Sequence, residues 1–239
     1  MRKFIIAMMA LPLFATAQEK NVVSVNRVFP KSDKIQAFEK AIGAHAQKYH
    51  KGDWHWRVFT IESGPDAGGY HITEGPKDWS AVEKRGDLGA DHTADWDKTV
   101  QPLLQDRGSN SFSVYRADLS SVALTQFTDQ INVNHIYPKP GYTNMVEDLI
   151  KSMKKMWEQD GISAAVYESS SSGEPQITIV TRYKDGLKER ERGFRAPMKE
   201  RYEKANGAGS WDTYIQNLRT ATDHTWSELL FLKKDLSSK

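Results

Sequence analysis

Two asparagines occupy positions where an amide needs a reason to be. Asn26 lies in the run VSVNRVFP (23–30) and Asn134 in INVNHIYP (131–138), each among alternating apolar residues. A carboxamide carries two N–H donors and an acceptor, and on a half-buried strand face these must be met by protein groups or by a ligand. Trp54 and Trp56 are predicted to share one side of the next strand. The residues at the same offset in the second half are Ile162 and Ala164, so two indoles on one side face smaller groups on the other. That difference suits a pocket for a small apolar or aromatic molecule, or a core built from large aromatics.

Histidines crowd the first half: His45, His50, His55, His71 and His92. None of the spacings matches a helical i,i+4 pair or a zinc signature. His45 falls on an apolar helix stripe and is predicted to pack as a core residue. No metal site is expected from these spacings. There is also no Gly-rich phosphate loop, nucleophile elbow or paired-carboxylate motif.

The elements that would carry these residues occur twice. The two asparagine strands are 108 residues apart, with Val25/Val133, Asn26/Asn134 and Pro30/Pro138 identical. Helical periodicity follows each strand, over 34–49 and 142–157, and then a hairpin. The predicted hairpin strands are 54–61 with 70–74, and 162–168 with 176–182. A second helical stretch begins at Trp96-Asp97 and at Trp211-Asp212. Closing strands are predicted over 111–119 and 226–236, each ending near Asp-Leu-Ser. This is the order β-α-β-β-α-β twice, an α+β class of two tandem ferredoxin-like units. Val25 and Val133 point to one side of their strands, Asn26 and Asn134 to the other. Both sheet faces therefore need cover, and packing the units through their sheets would supply it. Units of 18–124 and 125–239 follow.

Residues 1–17 read as a signal peptide, with Arg2 and Lys3, an apolar run from Phe4 to Phe14, and a cleavage pattern ending between Ala17 and Gln18. The protein is thus expected in the periplasm or outside the cell, with no membrane span. Without Arg2 and Lys3 the 33 Lys and Arg fall to 31, equal to the 31 Asp and Glu. A neutral mature chain removes the electrostatic case for a nucleic-acid partner. With no cysteine, stability must come from the core rather than disulfides. The basic stretch 184–204 reads as a solvated amphipathic segment interrupted or restarted at Pro197.

The doubled pattern, with its VNR and VNH strand elements and the TEGPKDW junction, resembles the dimeric α/β-barrel superfamily. This includes antibiotic-biosynthesis-type monooxygenases and NIPSNAP-like proteins. The resemblance implies a cavity between sheet and helices, a possible homodimer, and activities from cofactor-free oxygenation to none. Its haem-degrading branch is similar at Asn26-Arg27 and, approximately, at His92, which the resemblance would make a haem ligand. Haem is therefore the alternative to the expected absence of a cofactor. Three readings follow: a binder of a small apolar or aromatic ligand lined by Asn26, Trp54, Trp56, His92 and Asn134; a cofactor-free or haem-dependent monooxygenase; and a stress-related interaction protein with filled cavities.

Overall fold

The computed structural model describes residues 19–239, so the expected signal segment lies outside the described residues. β1 (Val22–Pro30) alternates as its sequence requires. Val23, Val25 and Arg27 turn to one side, while Ser24, Asn26 and Val28 turn to the other. It is followed by α1 (Ile35–Tyr49), β2 (Trp56–Ile61), β3 (Tyr70–Lys77), the short helices α2 (Trp79–Lys84) and α3 (His92–Asp95), and β4 (Leu104–Tyr115). The second half has the same order: β5 (Gln130–Pro138), α4 (Thr143–Gln159), β6 (Ser163–Ser170), β7 (Ile177–Arg182), α5 (Met198–Asn206), α6 (Ser210–Ala221) and β8 (Thr222–Leu232).

All eight strands join in one closed antiparallel barrel, in the order β1-β3-β2-β8-β5-β7-β6-β4. Each half contributes four strands. The halves meet along two short seams, β2 with β8 through Phe59↔Leu232 to Ile61↔Leu230, and β4 with β6 through Phe112↔Ser170 to Tyr115↔Tyr167. The expected packing through the sheets is thus achieved by closure. Inward residues of both halves, Phe59, Ile61, Ile131, Val133 and Leu230, form one lumen cluster.

Helices cover the outside. Phe38, Ile42 and Ala46 of α1 pack on Val28, Trp56, Val58 and Ile72. Val146, Ile150, Met156 and Trp157 of α4 pack on Ala164, Val166, Ile177 and Ile179, joined by Tyr202 and Ala221. Asp78 caps α2, its carboxylate accepting from the Ala81 N–H at 2.7 Å, which explains the Lys-Asp-aromatic junction. Pro197 stands directly before α5, so it restarts the helical path after the polar stretch that precedes it.

The closing strands are displaced from the prediction. β4 begins at Leu104, seven residues early, because its first half is a run of exposed polar residues with no apolar alternation. Both β4 and β8 end before the Asp-Leu-Ser-Ser segments, 118–121 and 235–238. These segments extend the seams by another means. Ser120 and Ser121 Oγ accept the N–H groups of Val166 and Ala164 on β6, and Ser237 and Ser238 Oγ accept those of Val58 and Trp56 on β2, all at 2.8–3.0 Å. Leu119 and Leu236 are buried beneath. Gly43 permits this: a Cβ there would sit 3.2 Å from the Asp235 carbonyl oxygen, so α1 can lie close on the segment. Ser237→Ala should strand the Val58 N–H and lower stability by about 1–2 kcal/mol in urea melts, with Ser120→Ala costing a similar amount. Wild-type stability in both would show that these hydroxyls do not hold the seams.

Candidate functional site

Outside the barrel, the first half leaves a pocket of about 380 Å³ between the outer face of its sheet and the α2–α3 segment. Its walls include Asn26, Trp56, Glu74, His92 and Trp96. Asn26 stands between Ile72 on β3 and Asn110 on β4, and its amide makes no hydrogen bond to a described residue. Three sequence-predicted candidates, Asn26, Trp56 and His92, therefore share one pocket.

The other two do not line it. Trp54 is not on the strand: it ends a 3₁₀ turn, Gly52–Trp54, and β2 starts at Trp56. Gly52 adopts φ +59°, which turns the chain there. The Trp54 ring instead lies against Lys77 Nζ and the Arg85 guanidinium, at 4.7 and 5.5 Å from its centroid. Asn134 occupies the matching position in the second half, where its Oδ1 accepts from Asn132 at 3.2 Å. In that half Met153, Met156, Trp157, Trp211 and Tyr214 belong to the packed sheet–helix core.

The pocket floor is charged. Glu74, 3% exposed, accepts hydrogen bonds from Trp56 Nε1 at 2.9 Å, from Lys77 Nζ, and from Arg85 Nη2 at 3.3 Å. Burial pushes its carboxyl up, but His50, Lys77 and Trp56 outweigh that and hold it well below the usual carboxylate range. Lys77, itself 1% exposed, is pushed below the ordinary lysine range by burial despite Glu74.

Beside this floor the fold assembles three imidazoles that no spacing rule connects. His45 is on α1, His50 is the residue that ends it in extended conformation, and His92 opens α3. One ring nitrogen from each lies within 4.8 Å of the others. His50 Nε2 and His92 Nε2 are 3.3 Å apart. Every Nδ1 faces a carboxylate: His45 to Asp95 at 2.8 Å, His92 to Asp87 at 3.0 Å, and His50 to Glu74 at 3.2 Å, the last without hydrogen-bond alignment. His45 is buried as predicted, yet its Nε2 has no partner among the described residues. Burial lowers the His45 pKa against the pull of Asp95, and lowers that of His50 to about 4. The side chains from α1 could not be paired by sequence, because the helix ends before His50 and re-aims it.

The lumen holds a second cavity, of about 140 Å³, lined by Arg27, Arg57, His71, His135, Arg182 and others. That is room for about four or five waters. Its polar groups are largely matched within the protein. Arg27 bonds both carboxylate oxygens of Glu228 and also Asp66, His135 meets Glu228 at 2.9 Å, and Arg182 donates to carbonyl oxygens of residues 123, 124 and 126. The Asn26-Arg27 pair is thus divided, the amide to the outer pocket and the guanidinium to the lumen.

No protein-family model matches the chain, and no curated protein matches it by sequence. Solved structures do match. A provisionally assigned monooxygenase from Fusobacterium nucleatum is 14% identical with a TM-score of 0.57, over 89% of this chain and 92% of that one. An anthrone oxidase-like protein is 11% identical with a TM-score of 0.58, over 90% and 92%. A variant chlorite dismutase from Candidatus Nitrospira defluvii is 7% identical with a TM-score of 0.52, over 92% and 94%. At such identities the likeness is one of fold alone, that of an antiparallel barrel whose eight strands here close within one polypeptide.

Proposed function

We propose that this protein binds a small, partly aromatic molecule in the outer pocket of its first half, with oxidation of that molecule as the reaction class. The observation that carries the binding reading is Asn26: a carboxamide without a described partner, on a wall shared with Trp56 and Trp96. Aromatic faces would hold a planar ligand, and the amide would fix one polar atom of it. The similarity in fold to monooxygenase-like proteins supports the oxidative class without assigning residues to it. Haem, implied by the family resemblance, would need one imidazole facing a clear plane. The three rings here stand 4.9–5.3 Å from one another, an arrangement that suits a smaller guest. No helix among the described residues is long and apolar enough to cross a membrane. Export as an N-terminally processed chain remains part of the proposal.

Native mass spectrometry with an absorbance spectrum tests this reading on protein purified from its own source. A retained organic molecule, lost by about tenfold in affinity on Asn26→Ala while the melting temperature stays put, is the expected result. A change in melting temperature alone would make Asn26 structural. A haem band would select the haem alternative, and a first residue of Gln18 would establish processing.

A further inference from the structure

The structure assigns a divalent transition-metal site to His45, His50 and His92, open on one side to the outer pocket. Three observations carry it independently of the pocket's organic ligand. First, the three imidazoles converge from α1, its terminus and α3, with ring nitrogens within 4.8 Å of one another. Two nitrogens on one tetrahedral ion, at bond lengths of about 2.0–2.1 Å, are about 3.3 Å apart. His50 Nε2 and His92 Nε2 already have that separation. Bringing the His45 nitrogen in requires a shift of about 1–1.5 Å, within the reach of a side-chain rotation.

Second, the carboxylates sit where they would serve ligands rather than compete with them. Asp95, Asp87 and Glu74 each face an Nδ1, which leaves Nε2 as the outward atom of all three rings. His45 and His92, whose Nδ1 atoms hydrogen-bond Asp95 and Asp87, are thereby fixed in tautomer and orientation and made more basic at Nε2. Third, the unpartnered atom is in the right place. His45 is 1% exposed and its Nε2 finds no hydrogen-bond partner among the described residues, an unfavourable state for a buried lone pair. An ion would satisfy it.

The donor set selects the class of ion. Three neutral nitrogen ligands suit zinc, cobalt, nickel, copper or ferrous iron, and not magnesium or calcium. His45 and His92 also line the outer pocket, so the remaining coordination position faces the space assigned to the organic ligand. Three histidines with an open position make a Lewis-acid or water-activating centre rather than a closed structural one.

Cobalt(II) is the probe, added to the chelator-stripped full chain. One ion per chain, with the visible ligand-field bands of a four- or five-coordinate nitrogen site, is expected. Zinc should displace it and should move three imidazole nitrogen resonances of the unmodified chain together, a readout that no folding defect in a variant can imitate. His92→Gln, on a short outer helix, should weaken zinc retention at least 100-fold. Asp95→Asn, which leaves all three ligands in place, should weaken it 10- to 100-fold. Binding that is undiminished in the triple variant H45Q/H50Q/H92Q, or no binding tighter than that variant shows, would overturn the assignment.

Discussion

Glu228→Ala should destabilise the barrel by about 3–5 kcal/mol, the range for removing one partner of a buried ion pair. The Glu228 side chain is fully buried and holds Arg27 from β1 and His135 from β5, so the substitution leaves a guanidinium in the lumen with Asp66 as its one remaining carboxylate. Burial raises the Glu228 carboxyl, but the hydrogen bonds from His135 and Arg27 prevail and hold it at about 2. Its folded pKa lies below its ordinary 4.5, so its stabilisation is complete above that value and is lost as pH falls toward 2. His71 acts in the same direction. Burial, with Arg27 beside it, pushes its imidazole down to about 3, so the unfolded chain takes up a proton below about 6.5 that the folded one refuses. Urea melts from pH 7 to pH 3 should therefore lose stability throughout, and Glu228→Ala should flatten only the part below about 4.5. The double variant R27M/E228L separates charge from packing: it should recover most of the loss. A single variant within 1 kcal/mol of wild type would show that the lumen does not depend on this pair.

The second large effect is expected at Glu74→Ala, again about 3–5 kcal/mol. Here the stranded partner is Lys77, 1% exposed, whose ammonium meets Glu74 at the pocket floor. The Trp56 indole N–H loses its acceptor as well. Lys77 is already driven toward its neutral form by burial, and without the carboxylate it would go further. Denaturant melts should show the loss, and ligand retention should fall with it because Trp56 is no longer pinned. Glu74→Gln, which keeps an acceptor for the indole, should retain the ring's position while losing the charge. Equal ligand affinity in the Ala variant would detach the floor from the binding site.

How far the sequence could be read depended on whether a residue's partners were local. Strand alternation around Asn26 and Asn134, and the apolar stripes of α1 and α4, are short-range signals, and they located β1, β5 and both helices to within a residue or two. That Asn26 and Val25 lie on opposite faces of β1 followed from the same period of two; which face meets the helices and which the lumen came from the structure. The early start of β4 did not, because its residues 105–110 are polar and exposed and carry no alternation. The imidazole cluster was beyond reach for a different reason. His92 is 42 residues from His50, and nothing local tells that α3 will deliver it there. The serine segments were visible as a repeated Asp-Leu-Ser but read as strand ends, since a hydroxyl standing in for a backbone acceptor looks no different in sequence from a turn residue.

Those serine segments bear on how the chain comes off the ribosome. The Val58 N–H donates to a hydroxyl oxygen 179 residues downstream. At about 5–20 residues per second, synthesis leaves the outer edge of β2 unpaired for roughly 10–35 seconds after it emerges. During that interval the first half exposes a strand edge that any neighbouring nascent chain could extend. The serine that closes it is made 179 residues later, so translation speed, as much as sequence, sets how long each molecule is vulnerable.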